Sequence, residues 1–446
     1  MNNKLTANLR VANRYFVDPQ ERHGIPSYRT VMMAMGYLLG KNTLLTGEPG
    51  FSKTNGAKVL MSLMSGLPVD LYDATQIQGS PNITRSQVSG RPNYYAMHTS
   101  GEETVWPAHV FMPGALLDEF NRTPAKLQSD VLDIVETGRT TSELGHTIYT
   151  GKKPFFATVN YKDDGNGHLS PALNDRFDVS LELGYLGPFN RQAIREAKTN
   201  RKDLTDVELS GEILRILQSE KSENEKLDAV RNYQEKFGEE LTKRIGRYGF
   251  KPFKEGELAE IAENIKRIEL VPEAAIYLDC IEAEMNTSPM YGVKRRSDRP
   301  VDKSTHAKDL ASSKVKNSLS PRATLSIEDY ARALAYLKGQ EEATKADINE
   351  ASMRVISHRL EPDDDFLAQY EGKDRKTKGT LNDELIYVLL EGVENNFPNV
   401  HRAVSLLSNY GGLDEEQKRE ADAVLSMPAD QIDHPLVRGF VEQMRR

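Results

Sequence analysis

The chain has 446 residues, too many for one ordinary hydrophobic core, and this length predicts two or three structural units. Lys and Arg total 58 against 66 Asp and Glu, an acidic balance that argues mildly against general nucleic-acid binding. The one cysteine, Cys280, excludes an intramolecular disulfide framework and a cysteine-rich zinc site, and we interpret it as a small buried apolar residue.

The sequence also carries no targeting or membrane signal that we recognise. Its first 16 residues lack the apolar segment of a secretory signal. The longest apolar run, residues 31–39, is far shorter than the ~20 residues that a membrane span requires. We therefore expect a cytoplasmic protein. The nine histidines show no metal-ligand spacing.

A strand, a Gly/Pro-rich turn and a helix follow one another near residue 50. Residues 43–46 predict the strand, and a helix is expected from Lys53 to about Ser65. This order is typical of a phosphate-binding loop. The residues that we predict to bind nucleotide are Gly47, Glu48, Pro49, Gly50, Phe51, Ser52, Lys53 and Thr54.

The residue types in this loop suit an anion. Gly47 and Gly50 can adopt backbone conformations closed to residues with a Cβ, so that successive N–H groups turn toward a phosphate. Lys53 would reach the outer phosphates, and the Thr54 hydroxyl would bind Mg²⁺. Ser52 stands where such loops usually have a third glycine.

An acidic pair ends a later apolar segment. Residues 67–74 predict a second strand, and the polar, glycine-interrupted residues 79–103 predict an insertion of hairpin or loop type. Residues 115–117 then form an apolar strand that leads into Asp118 and Glu119. At the carboxyl edge of a parallel sheet, Asp118 can hold Mg²⁺ or its water, and Glu119 can polarise a water aimed at the γ-phosphate. A solvated turn is the alternative, which the nearby phosphate loop disfavours.

The remaining strands complete an α/β pattern. Thr123 and Pro124 predict a helix start. Residues 155–159 form the next strand, which ends at Asn160. The Asn160 side chain either stabilises a turn or orients the attacking water. The last strand is expected at residues 179–183. Five strands alternating with helices predict a doubly wound α/β domain.

The second half of the chain is predominantly helical. Ser320 and Pro321 predict a helix start that leaves Arg322 in the first turn, where the helix dipole disfavours a cation. This misfit indicates an external anion; an ion pair with a neighbouring carboxylate is the alternative. The basic loop at residues 294–316 predicts a surface insertion, or else a site for nucleic acid or a partner. Beyond a charged linker, two or three helices are expected, at residues 381–393, 400–409 and 413–425.

Together these motifs resemble the AAA+ ATPases, and within them the MoxR family. Residues 47–54 are similar to the family's Walker A motif, and residues 117–124 to its Walker B motif and the Asn-Arg-x-Pro that follows. Asn160 falls at the position of sensor 1. Residues 79–103 occupy the place of the family's helix-2 insert.

The same resemblance assigns roles to two arginines. Residues 169–177 resemble the segment that carries the arginine finger, which would make Arg176 that finger. Residues 320–324 resemble the start of the sensor 2 helix, with Arg322 as sensor 2. The glycine-proline segment before the finger is shortened here to residues 164–168.

The resemblance implies three parts. Residues 1–188 would form an AAA+ doubly wound parallel-sheet nucleotide-binding domain. Residues 189–360 would form a helical connector and α-helical lid domain, with a basic insertion near residues 286–319. Residues 361–446 would form a charged linker and a helical C-terminal extension.

The resemblance also implies a function. It predicts Mg²⁺-dependent ATP hydrolysis by a homo-oligomer, in this family typically a hexameric ring, that acts as a chaperone-like remodeller in protein maturation or complex assembly. A protein with a von Willebrand factor A domain is the implied partner. The catalytic residues would be Glu119, Asn160, Arg176 and Arg322, and the metal ligands Thr54 and Asp118. An AAA+ nucleic-acid motor or DNA-dependent ATPase is the alternative, and a nucleotide-binding scaffold without turnover is a third interpretation.

Overall fold

The structure is a computed structural model that describes residues 3–16, 28–50, 52–94, 103–160, 169–184, 190–288, 292–293, 310–370 and 381–445. It divides into two compact units, Met1–Ile265 and Lys266–Arg446. The three-part division expected from the sequence stays a prediction.

The first unit is built on a parallel sheet. The strands in the described part of this unit are β1 (Asn42–Thr46), β2 (Ile77–Gln78), β3 (Arg91–Pro92), β4 (Thr104–Val105), β5 (Ala115–Asp118), β6 (Arg139–Thr141), β7 (Thr147–Tyr149), β8 (Phe155–Val159) and β9 (Val179–Glu182). Five of them form one sheet in the order β2-β5-β8-β1-β9, with every pairing parallel. The strand order reverses at β1, so the loop after β1 opens at the crevice where α/β sheets bind ligands.

Helices connect these strands and continue beyond them. They are α1 (Asn3–Ala12), α2 (Tyr28–Leu38), α3 (Lys53–Ser65), α4 (Val69–Thr75), α5 (Arg85–Ser89), α6 (Ala125–Thr137), α7 (Pro171–Asn174), α8 (Arg191–Asn200), α9 (Val207–Leu217), α10 (Glu223–Ile245) and α11 (Glu257–Lys266). The doubly wound parallel α/β fold predicted from the sequence is confirmed.

Three phenylalanines pack against one another in the hydrophobic core beside the sheet. The rings of Phe120 and Phe177 meet edge to face at 5.4 Å, and both lie 6.2 Å from the ring of Phe155. All three are fully buried, as expected for a parallel sheet covered on both faces. Since Phe120 follows Glu119 and Phe177 follows Arg176, this packing anchors the backbone beside both residues.

The predicted second strand was wrong. Residues 69–75 form helix α4, and the strand of this region is only Ile77–Gln78. Apolar residues at 67, 69 and 71 alternate as in a strand, but Leu67 is buried before the helix, and Val69, Leu71 and Tyr72 are buried within it. Helix α6 also begins one residue later than expected, because Pro124 occupies its cap position. Within residues 79–103, the described part contains α5 and strand β3, which pairs antiparallel with β4.

The second unit is helical. In its described part, the helices are α12 (Pro272–Asn286), α13 (Pro321–Lys338), α14 (Lys345–Ile356), α15 (Asp364–Tyr370), α16 (Leu381–Ser408), α17 (Glu415–Ser426) and α18 (Pro435–Met444). Two short strand pairs accompany them: β10 (Glu269–Leu270) with β13 (Glu342–Ala343), and β11 (Thr287–Ser288) with β12 (Gly292–Val293). Among the described residues, no helix combines the length and apolar character needed to cross a membrane.

The C-terminal helices differ from those expected. The predicted helices at residues 381–393 and 400–409 are one helix, α16, which runs through Pro398. Proline normally ends a helix because it removes a hydrogen bond and crowds the preceding turn. Here Val393, Phe397 and Val400 are buried on both sides of the proline, and this apolar face outweighs the lost bond. Helix α15 lies in the segment expected to be a linker, and α18 was not predicted.

Candidate active site

The loop between β1 and α3 has the backbone of an anion cradle. Gly47 and Gly50 have φ angles of 137° and 85°, and Ser52 is left-handed at 59°. A Cβ on Gly47 would lie 2.2 Å from the carbonyl oxygen of Leu183, so only glycine fits there. Ser52 makes no side-chain cap bond to α3, whose first N–H groups are the donors that phosphates use. Phe51, one of the predicted binding residues, lies outside the described residues.

Lys53 joins this loop to Asn160. The buried ammonium donates to the carbonyl oxygens of Gly47 at 2.8 Å and Glu48 at 2.9 Å, and to Asn160 Oδ1 at 2.7 Å. Asn160 comes directly after β8, the neighbour of β1, which explains the contact. The strand-end position predicted for Asn160 therefore places it beside the loop, as expected.

Thr54 and Asp118 meet at the adjacent strand end. Thr54 Oγ1 donates to Asp118 Oδ1 at 2.6 Å, and the buried Thr158 Oγ1 donates to the same oxygen at 2.5 Å. A hydroxyl and a carboxylate are the ligands that Mg²⁺ prefers beside nucleotide phosphates. Thr158 was missed by sequence reasoning, because a threonine inside a β-branched strand carries no signal of its own.

Glu119 follows in a strained conformation. It and Ser52 are the non-glycine residues of the described chain with positive φ, 55° and 59°, and such strain persists where surrounding contacts enforce it. Its backbone N–H donates to Thr158 Oγ1 at 3.0 Å. Its Oε2 accepts from Gln78 Nε2 at 3.1 Å and lies 3.1 Å from an Arg122 guanidinium nitrogen.

Gln78 is a second residue that sequence reasoning missed. It ends β2, in register with Asp118 of β5. The rule that placed Asp118 and Asn160, polar side chains at carboxyl strand ends, applies equally to Gln78. The apolar pattern of residues 67–74 instead predicts a strand that ends before Gln78.

These residues fit a nucleotide with its metal ion. The glycine cradle leaves room for a phosphate against the backbone, Lys53 supplies a buried positive charge, and Thr54 with Asp118 supplies hard oxygen ligands. When bound, MgATP supplies the phosphoanhydride bond and the metal charge. The carboxylate of Glu119 lies one residue beyond Asp118, and a carboxylate can act on a water.

Comparison with known proteins gives the same result. The model of the ATPase family associated with various cellular activities (AAA) matches residues 42–179, and the AAA lid domain model matches residues 307–378. The chain is 25% identical to Chaperone MoxR1 of Mycobacterium tuberculosis over 188 residues, 41% of this chain and 47% of that protein. Residues 42–179 thus carry an ATPase domain of the AAA type, and the chain is similar to the MoxR type of these ATPases.

Other similarities are partial or concern the fold. The uncharacterized protein YeaC of Bacillus subtilis is 32% identical over 158 residues, 34% of this chain and 46% of that protein. The chain thus spans less than half the length of these two relatives. A Cytophaga hutchinsonii protein proposed to be an ATPase has a solved structure with a TM-score of 0.55 at 19% identity, which covers 87% of this chain and 96% of that one. At that identity the likeness concerns the fold.

Arg176 lies at the opposite edge of the AAA+ sheet from the nucleotide loop. It precedes β9, and its carbonyl oxygen accepts from Asn42 Nδ2 at 2.9 Å, at the first residue of β1. The length of β1, ~16 Å for five residues, separates this edge from the loop. Its side chain is 16% exposed, and the guanidinium contacts Asp133 at 2.5 Å and Glu136 at 2.8 Å on α6. Arg176 is thus not brought to the nucleotide loop of its own chain.

Arg322 lies in the lid unit. Ser320 caps α13 and accepts from the backbone N–H of Ala323, with Pro321 in the first turn, as predicted. Arg322 is exposed in that turn. Its assignment as sensor 2 stays a prediction.

We expect Gly47→Ala to be more damaging than Gly50→Ala. A methyl group at Gly47 meets the Leu183 carbonyl, whereas nothing lies within 4 Å of one at Gly50, although both have positive φ. Backbone strain of this kind costs about 1–3 kcal/mol. Urea unfolding and fluorescent-nucleotide titration of both variants measure it. Equal losses would show that the close approach to Leu183 is unimportant.

We expect Thr158→Val to weaken the Asp118 side of the site. The change keeps the shape but leaves the Asp118 carboxylate and the Glu119 N–H each without one partner, a cost of about 1–3 kcal/mol for buried groups. Turnover should then need more Mg²⁺. Denaturant unfolding and a Mg²⁺ titration of turnover test this, with Thr158→Ser as the control that keeps the hydroxyl. A similar loss in both variants would contradict the role of the hydroxyl.

Proposed function

We propose that this protein hydrolyses ATP in a Mg²⁺-dependent reaction, as a ring-forming oligomer that remodels other proteins. The observation that carries the proposal is the convergence of Lys53, Thr54, Asp118 and Asn160 at one end of neighbouring parallel strands. A surface loop without a ligand has no need of a buried ammonium beside a half-buried hydroxyl-carboxylate pair.

Each residue has a role in the proposed reaction. Lys53 would compensate the charge of the outer phosphates, and Thr54 with Asp118 would hold Mg²⁺. Glu119 would accept a proton from the attacking water, and Asn160, already bonded to Lys53, would orient that water. Gln78 and Arg122 would hold the Glu119 carboxylate until water is in place.

The position of Arg176 supports oligomeric action. An arginine one strand length from its own loop cannot serve that loop, but it can serve the loop of a neighbouring copy in a head-to-tail ring. We propose Arg176 as this arginine finger and Arg322 as sensor 2. A hexamer is the ring size that the family resemblance implies. Hydrolysis would then depend on assembly.

For the client, we propose a chaperone-like action on proteins. The support is the similarity to a protein named Chaperone MoxR1 and the family resemblance, which also implies a partner with a von Willebrand factor A domain. The alternative is a nucleic-acid motor. Its test is turnover stimulated by DNA and lost when Lys294, Arg295 and Arg296 are neutralised together; these three residues lie outside the described residues.

The deciding experiment is ATP turnover measured against protein concentration, with the mass determined by light scattering in the same samples. We expect turnover per chain to rise as the oligomer forms. Constant turnover per chain across a monomer-to-oligomer transition would contradict a site completed by a neighbour. An assembled, nucleotide-bound chain without turnover would favour the scaffold interpretation.

A further inference from the structure

Three different metal-ligand side chains meet in the interior of the second unit. Cys280 and Glu284 lie one turn apart on α12, and His434 is the cap residue of α18. Cys280 Sγ is 3.4 Å from His434 Nε2 and 3.9 Å from Glu284 Oε1, and Nε2 is 3.2 Å from the same Oε1. All three residues are buried. None of them belongs to the nucleotide site.

These separations match the edges of a tetrahedral metal site. Zinc lies about 2.3 Å from a thiolate sulfur and about 2.0–2.2 Å from imidazole nitrogen or carboxylate oxygen, which sets ligand-to-ligand separations of about 3.3–3.6 Å. Two of the three observed separations lie within about 0.2 Å of that range, and the third exceeds it by about 0.3 Å. One cation therefore fits between the three atoms with small side-chain shifts.

The carboxylate is also supported from outside the triad. Glu284 is fully buried; its Oε1 accepts from Asn396 Nδ2 at 3.0 Å and its Oε2 from the backbone N–H of Ala311 at 3.4 Å. Coordinating carboxylates are characteristically held by such outer hydrogen bonds. A buried carboxylate also needs positive charge or several donors, and a cation would supply the charge.

The histidine ring has a second constraint. His434 Nδ1 accepts from the backbone N–H of Leu436 at 3.2 Å, which aims Nε2 at Cys280 and Glu284. In the neutral ring the proton is then on Nε2, where it is donated to Glu284. A metal on Nε2 requires the proton on Nδ1, and a protonated Nδ1 cannot accept a hydrogen bond. Metal binding must therefore break the hydrogen bond from the Leu436 N–H to Nδ1. The loss of this bond is a distinct signature of occupancy.

We propose that Cys280, Glu284 and His434 bind one divalent cation of borderline softness, for which Zn²⁺ is the best match to one sulfur, one nitrogen and one oxygen ligand. The fourth position would be taken by water or by the amide oxygen of Asn396. The site would join α18 to α12 across 150 residues of sequence, within the second unit. It is independent of the proposed ATPase activity.

The test is zinc binding by the full chain after removal of metal with a chelator. Titration against a chromophoric zinc chelator should show one equivalent bound by the wild type. Cys280→Ala and His434→Gln should each weaken this binding by at least ~100-fold, since a ligand contributes at least as much as its outer partners. His401→Gln, a histidine change on α16 away from the cluster, should bind zinc as the wild type does.

Two further readouts separate coordination from loss of structure. Co²⁺ in place of zinc should give the near-ultraviolet absorption of a cobalt–thiolate bond in the wild type and not in Cys280→Ala. Zinc should raise the thermal unfolding midpoint of the wild type and of His401→Gln, but not that of Cys280→Ala. The Cys280→Ala variant should still fold, because alanine is small and apolar and the position is buried. Zinc should also speed hydrogen exchange at the Leu436 amide. No bound zinc at micromolar concentration, or zinc held with full affinity by Cys280→Ala and His434→Gln, would overturn the site.

Discussion

Replacing Glu119 with glutamine is expected to lower ATP turnover by about 10²–10⁴-fold, the usual contribution of a positioned general base. Glutamine keeps the shape of the side chain but cannot accept a proton. Nucleotide binding should be nearly unchanged, because Lys53, Thr54 and Asp118 keep their contacts. Phosphate release at saturating MgATP measures the loss, and a fluorescent nucleotide measures the binding.

A change in the stability of the Glu119→Gln variant would be too small to explain this loss of turnover. The contact that changes most is the ion pair of Glu119 with Arg122, whose side chains are 24% and 37% exposed, and such pairs contribute about 0–1 kcal/mol. Glu220→Gln, the same chemical change at an exposed position, is the matched control and should turn over ATP like the wild type. Near-normal turnover in Glu119→Gln would exclude Glu119 as the base and direct attention to another group at the strand ends.

Replacing Arg176 with alanine is expected to lower turnover by about 10³–10⁵-fold while nucleotide binding persists, if the guanidinium acts on the phosphate of a neighbouring copy. The change also removes its contacts to Asp133 and Glu136, at roughly 1–3 kcal/mol for a partly buried pair. Glu136→Gln is the control for that structural part. It breaks one of the same ion pairs but keeps the arginine, so it should retain most of the turnover.

Mixing two inactive variants separates action within a chain from action between chains. In a ring assembled from Arg176→Ala and Glu119→Gln copies, about a quarter of the interfaces combine an intact Glu119 with an intact Arg176 from the neighbour. Turnover should therefore reappear on mixing. If Arg176 acted within its own chain, every site would keep one defect and the mixture would stay inactive. Loss of turnover in Glu136→Gln equal to that in Arg176→Ala would instead assign the arginine a structural role.

Most of the nucleotide site could be predicted from the sequence, because the features that indicate it lie in short stretches of neighbouring residues. The loop after β1 needs glycines, a lysine and a threonine at adjacent positions, and the strands before Asp118 and Asn160 are continuous apolar runs that end in one polar residue. Gln78 was not predicted because the alternation at residues 67, 69 and 71 is typical of a strand, whereas Val69 and Leu71 are buried on a short helix that is covered on more than one side. Two strand residues are too few to be recognised without their neighbours.

The C-terminal region shows the opposite case. Proline at position 398 predicts a helix end, and that local rule is sound for an isolated segment. The continuous helix α16 depends on the apolar residues that it buries, and burial is decided by which helices pack against it. The same holds for Thr158, whose role exists only because β8 lies beside β5.

The sequence by itself thus determined the parallel α/β fold, the phosphate loop and the acidic strand end. These features depend on glycine positions and on hydrophobic periodicity, which are both visible in short stretches of neighbouring residues. Tertiary structure alone decided that Arg176 lies a strand length from its own loop. It alone also brought His434 to Cys280 and Glu284. Cys280 and Glu284 are one helical turn apart, and this spacing does not indicate a metal site until His434, 150 residues after Glu284, packs beside them. Contacts between distant segments follow from packing, which no local pattern encodes.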